Sequence, residues 1–128
     1  MISCGELIKY CCEKRLAYVE HPFGEEPVCI KVNGRIFAEI YTREDNYKIT
    51  LKCEPVLAEL FRSQYPGVVT RGYHCPPVQQ PHRNTVWINR IEDDVLYGMI
   101  DHSYQQVLRS FPRKVQKELE ERLSCQQG

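Results

Sequence analysis

Histidine, cysteine and serine are the side chains that most often carry nucleophilic or metal chemistry, and their placement here limits both. His74, Cys75 and His82 stand close together in the chain. Zinc sites normally show paired ligands at Cys-x-x-Cys or His-x-x-x-His spacing, and no such pair accompanies them, so no metal is expected. Cys29 and Cys53 lie in β-prone runs and read as small core residues. Asp101, His102 and Ser103 are consecutive on a helical pattern. Neighbours on a helix point about 100° apart, so they form no relay among themselves. His21 or His74 brought near Asp101 would make a polar cluster, and clusters of that kind usually order a fold. The expectation is a non-enzymatic protein with no cofactor and no small-molecule substrate.

The remaining chemistry is charge. The chain has equal numbers of basic and acidic residues, 17 each, so no global field draws it to nucleic acid or membrane. The charges are unevenly placed. Residues 1–59 carry 8 basic and 10 acidic side chains, residues 60–91 carry 4 and 0, and residues 92–128 carry 5 and 7. The acid-free stretch holds Arg62, Arg71, Arg83 and Arg90 with His74 and His82, around a loop stiffened by Pro76, Pro77 and Pro81. Phosphate binding draws on Lys and Arg, while base reading needs an element that enters a groove. The candidate nucleic-acid contacts are Lys31 and Arg35 beside an Asn-Gly turn, Lys48 and Lys52 on a polar strand face, and Arg71, His74, Arg83 and Asn84 around the proline loop. Arg71, His74, Arg83 and Asn84 are expected to gather at one loop, beside the face of Lys31 and Lys52. Glu39, Glu44 and Asp45 lie among these cations and weigh against DNA, and an ordinary solvated face is the bland alternative.

Length and composition suit one domain spanning 1–128. Seven cysteines without a leader-like start suggest reduced thiols and a cytoplasmic protein. No apolar run is long enough to span a bilayer.

The elements that must position these residues follow from periodicity. Ser3 and Glu6 form a capping-box pattern, opening a helix that runs to about Ala17 with Leu7, Ile8 and Cys11 inward. Cys11 and Cys12 cannot both face the core. Val28, Ile30 and Val32 alternate with polar positions, and Asn33-Gly34 turns the chain into a strand over Ile36–Tyr41. A further hairpin leads to a strand at Tyr47–Cys53. Pro55 opens a helix that Pro66-Gly67 stops. Two strands follow, Val68–Arg71 and Thr85–Asn89. Asp93 or Asp94 then caps the most periodic segment, with Leu96, Met99, Ile100, Ser103, Tyr104, Val107, Leu108 and Phe111 inward. Pro112 bends or restarts it, and Val115, Leu119 and Leu123 continue a weaker stripe. The order helix, three strands, helix, two strands, helix points to a two-layer α+β sandwich, a mainly antiparallel sheet with helices on one face.

Several short motifs occur in order along this frame: Pro22-Phe23-Gly24, Leu51-Lys52-Cys53-Glu54-Pro55, Tyr65-Pro66-Gly67-Val68, Gly72-Tyr73-His74, Asn84-Thr85-Val86, Ile100-Asp101-His102-Ser103-Tyr104 and Pro112-Arg113-Lys114. On these the chain resembles the MmcQ/YjbR family. The resemblance implies an α-β(3)-α-β(2)-α topology, secretion-chaperone-like and also compared with frataxin, in small bacterial cytoplasmic proteins regarded as DNA-binding. The chain departs from the family before Asn84, where members often carry a basic residue, His and Trp. Here the run is Pro81-His82-Arg83, and Trp87 lies after the motif. The partner expected is therefore DNA. A homodimer or another protein is the alternative, through a sheet edge or through the helix from Val115 to Leu123.

Overall fold

The computed structural model describes the backbone of residues 2–127 and the side chains of residues 2–122. The first helix, α1 (Cys4–Cys12), opens on Ser3, whose hydroxyl oxygen accepts from the Glu6 amide and donates to the Glu6 carboxylate. It stops well before Ala17. Glu13 ends it on the Lys9 and Cys11 carbonyls, and Leu16 takes a left-handed φ of 66°. The chain then enters a strand, β1 (Ala17–Glu20), where the sequence pattern predicts the end of the first helix. Tyr18 and Val19 are β-prone, and pairing with the next strand outweighs a helical pattern whose inward apolar positions end at Cys11. Of the adjacent thiols, Cys11 is buried and Cys12 lies at the core margin.

Next come β2 (Val28–Val32), β3 (Arg35–Tyr41) and β4 (Lys48–Lys52). Asn33 and Gly34 both have positive φ, 47° and 85°, as a two-residue turn of this kind requires. Helix α2 (Pro55–Gln64) has Pro55 in its first turn and Glu54 as its cap, accepting from the Val56 and Leu57 amides. Those two donors hold the Glu54 carboxyl below its usual pKa. Then follow β5 (Val69–Arg71), β6 (Arg83–Trp87), α3 (Asp93–Arg109) and α4 (Arg113–Gln127). Glu92 occupies the cap position of α3 without a side-chain hydrogen bond, and Asp94 accepts from the Val95 amide.

The six strands of the described residues form one antiparallel sheet in the order β1-β2-β3-β4-β6-β5. Since β4 and β5 are both antiparallel to β6, they run parallel to each other, with α2 joining them across the place β6 fills. This is the α+β sandwich read from the sequence, with one more strand at the front and the last helix divided at Pro112.

The core lies between sheet and helices. Ile30, Ala38, Ile40, Ile49, Leu51 and Val86 face it from the strands, and Leu7, Leu96, Ile100 and Val107 meet them from α1 and α3. Phe37 is fully buried and packs edge-on against Tyr104, ring centroids 5.4 Å apart. Leu119 of α4 is buried and Val115 packs against the core, whereas the side chain of Leu123 lies outside the described residues. Among the described residues no helix is long and apolar enough to cross a membrane.

Candidate functional site

Strand alternation assigns each polar residue to one face. The face away from the helices carries Lys31, Glu39, Tyr41, Lys48, Thr50, Lys52, Arg83, Thr85 and Trp87, as their cross-strand pairs show. Two loops wall it in, one over 21–27 and the other over 72–82. Between them lies a groove of about 520 Å³ whose lining includes Phe23, Lys31, Arg35, Glu39, Lys52, His74, Cys75 and Arg83.

The long proline loop reaches the groove by folding back over β4. Gly72 binds its amide to the Arg83 carbonyl at 2.9 Å and passes close to the Thr50 side chain. A Cβ at Gly72 would stand 3.1 Å from Arg83 Cβ and 3.3 Å from Cys75 Sγ, so the glycine is there for close approach rather than for backbone freedom. Gln80 fastens the loop from inside, donating to the carbonyls of Cys75 at 3.0 Å and Tyr73 at 3.4 Å. The Cys53 amide reaches across to the His82 carbonyl at 2.7 Å.

Five of the eight residues singled out in the sequence line this groove: Lys31, Arg35, Lys52, His74 and Arg83. Their situations differ. Lys31 is neutralised locally by Glu20 at 3.0 Å, and that hydrogen bond raises its pKa. Arg35 lies over the Phe111 ring, 4.4 Å from its centroid, and donates to the carbonyl and hydroxyl of Ser110. Arg83 donates to the Ile36 carbonyl at 3.4 Å. Lys52 has no acidic partner among the described residues; burial first, then Arg83 and Arg35, push its pKa below the usual lysine value. Three cations therefore converge here, and the groove's one carboxylate, Glu39, is paired with His74 rather than with any of them.

Lys48 shares the face but stands outside the groove, its ammonium over the rings of Tyr41 and Trp87 at 5.0 and 5.5 Å. Arg71 and Asn84 depart from the expected cluster. They pair with each other across β5 and β6, which sets both on the α2 side of the sheet. Asn84 is buried, accepts from Arg62 at 2.6 Å and donates to the Ala58 carbonyl at 3.1 Å, so its amide is committed to holding α2 on the sheet. The reason is parity: Arg83 and Asn84 are adjacent on a strand and must point to opposite faces.

Glu39 pairs with His74, Oε2 to Nε2 3.3 Å, and His74 Nε2 stands 3.6 Å from Cys75 Sγ. His82, grouped with His74 and Cys75 in the sequence, is not part of this cluster. Glu39 was counted there only as a charge unfavourable to DNA. Its alternation with Ala38 and Ile40 puts it on the polar face, but nothing in the sequence says that the 72–82 loop folds back to meet it.

The Asp101-His102-Ser103 run separates as helical geometry requires. Asp101 takes Tyr10 at 2.7 Å and pairs with Lys14, both from the α1 region. His102 Nε2 accepts from the Glu54 amide at 3.2 Å. Ser103 bridges two strands, donating to the Phe37 carbonyl at 2.6 Å and accepting from the Lys52 amide at 2.9 Å. Each residue ties α3 to a different element.

Comparison with known proteins adds the family. The chain is 29% identical over 117 residues to the Escherichia coli K12 protein YjbR, described as uncharacterized, covering 91% of this chain and 96% of that one. The O157:H7 counterpart matches to the same extent. Among solved structures, the Deinococcus radiodurans protein DR2400, with a DUF419 domain, superposes with a TM-score of 0.81 at 24% identity, covering 94% of this chain and 89% of that one. A Pseudomonas syringae protein superposes with a TM-score of 0.65 at 21% identity, covering 82% and 98%. These structural likenesses concern the fold. Residues 13–106 match the YjbR family, and the chain belongs to it.

Proposed function

We propose that the chain is a non-enzymatic, cytoplasmic DNA-binding module that receives backbone phosphate in the groove between the 21–27 and 72–82 loops. The observation that carries this reading is the convergence of Lys52, Arg35 and Arg83 on one concave surface, where Lys52 has no acidic partner among the described residues and Glu39 is taken up by His74. Cations held close together lose stability by mutual repulsion, and a bound anion relieves it. A phosphate oxygen also accepts hydrogen bonds from Lys and Arg together, which water screens less well in a recess than on an open surface. Lys48, on the same face, extends the basic band toward Trp87. The odd number of cysteines, seven, suits a reducing compartment.

The test is fluorescence anisotropy of a labelled duplex across a salt series. Binding should weaken steeply with salt, and Lys52→Glu or Arg83→Glu should abolish it, whereas Arg71→Glu, on the other side of the sheet, should leave it nearly unchanged. Failure to bind at low salt, or equal sensitivity to all three substitutions, overturns the reading.

A protein-interaction role has its own supporting observation. Among the described residues strand β1 forms one edge of the sheet and pairs only with β2, and it exposes 38% of both Tyr18 and Val19. An open edge of this kind accepts an added strand from another chain or a second copy. Concentration-dependent dimerisation indifferent to Lys52→Glu would favour it.

A further inference from the structure

We propose that Glu39, His74 and Cys75 form a three-ligand site for a divalent transition-metal ion of the zinc type, in the wall of the basic groove. This stands independently of what else the groove binds. A tetrahedral zinc ion lies about 2.0 Å from nitrogen and oxygen donors and about 2.3 Å from sulfur, which sets ligand separations of roughly 3.3 Å for N···O and 3.6 Å for N···S. His74 Nε2 stands 3.3 Å from Glu39 Oε2 and 3.6 Å from Cys75 Sγ. The three donor atoms all lie within 4.8 Å of one another. The histidine–glutamate spacing is that of an ion pair and equally that of two ligands of one ion, so a metal can enter with little movement of either side chain. Carboxylate, imidazole and thiolate together are a donor set that zinc and its neighbours accept, and that magnesium and calcium do not.

The surroundings hold the donors in place. The Glu39 side chain is 13% exposed on β3, beside its cross-strand neighbours. The ring of Tyr41 meets the His74 ring edge-on, centroids 5.9 Å apart, and limits its rotation. Cys75 is anchored through its amide to the Gly72 carbonyl at 2.9 Å and through its own carbonyl to Gln80. Binding replaces the proton on Cys75 Sγ, which leaves to solvent, and takes His74 through the lone pair of a neutral Nε2. Three protein ligands leave one tetrahedral position for water or for an oxygen of an anion in the groove.

The experiment is titration of chelator-treated, reduced full-length protein with cobalt(II) and zinc, followed by absorbance and metal analysis. We expect one equivalent to bind, with a thiolate-to-cobalt charge-transfer band and the visible bands of a four-coordinate ion. Cys75→Ala should remove the charge-transfer band. His74→Ala, at a side chain 38% exposed, should weaken binding by more than the roughly 10- to 100-fold that outer-shell changes cost. Cys12→Ala, remote from the groove, should leave the titration unchanged, and far-UV circular dichroism reports whether each variant is folded. No saturable one-equivalent site in the parent protein overturns the proposal. So does a site that persists in folded His74→Ala and Cys75→Ala proteins.

Discussion

The two faces of the sheet are made by the same strands and obey opposite rules. On the helix side the buried polar groups are used internally: Asn84 holds α2, and Ser103 bridges β3 and β4. No buried side-chain nitrogen or oxygen among the described residues is left without a partner. On the other face the cations outnumber their partners, and Lys52 sits among guanidinium groups with its pKa depressed. Folding alone would not choose that arrangement, because each unpaired charge brought near its like costs stability. The helix side therefore holds the molecule together, and the groove side carries the charge on which the proposed binding rests.

The largest expected effect tests the covered face. Phe37→Ala empties the contact with Tyr104 and should lower unfolding free energy by about 3–5 kcal/mol, measured by urea titration, with anion binding retained in the folded fraction. A loss below about 1 kcal/mol would mean that this face is not the core described here.

A second expectation concerns pH. Burial first, and then Arg109, lower the pKa of His102, while Glu54 opposes the shift. The folded state thus takes up the proton at lower pH than the unfolded state, so the unfolded chain binds more protons as pH falls through and below the unfolded histidine value. Stability should decline over that interval, and His102→Gln should flatten this part of the pH profile. A profile unchanged by the substitution would show that His102 does not couple folding to protons.

The smallest effect sharpens the contrast from the groove side. Lys52→Met removes a charge that repels Arg83 and Arg35, so thermal stability should stay within about 0.5 kcal/mol of the parent or rise slightly. Duplex binding should fall at the same time. Loss of both together would place Lys52 with the structural residues.

The fold was readable because its signals are local. Asn33-Gly34 demands its turn, Pro55 opens a helix, and the inward stripe of α3 from Leu96 to Val107 needs only a period of 3.6. Strand β1 was missed because four residues after a helix carry too little alternation to be distinguished from its last turn. The site was half legible. Alternation alone puts Lys31, Glu39 and Lys52 on one face and sets Asn84 on the other face from Arg83, its neighbour on a strand. Lys48 follows the same rule, but its stacking on Tyr41 and Trp87 depends on the register between β3, β4 and β6.

By itself, then, the chain determined its α+β class, most of its turns and caps, and which strand residues share a face, because each rests on a few neighbouring residues. Only the tertiary structure decided that the 72–82 loop crosses β4, that His74 and Cys75 arrive at Glu39, and that Arg35 joins Lys52 and Arg83. Those meetings join residues far apart in the chain. The path of a loop between two strands is set by the surface it packs against and the space Gly72 leaves open, and neither appears in the loop's own residues.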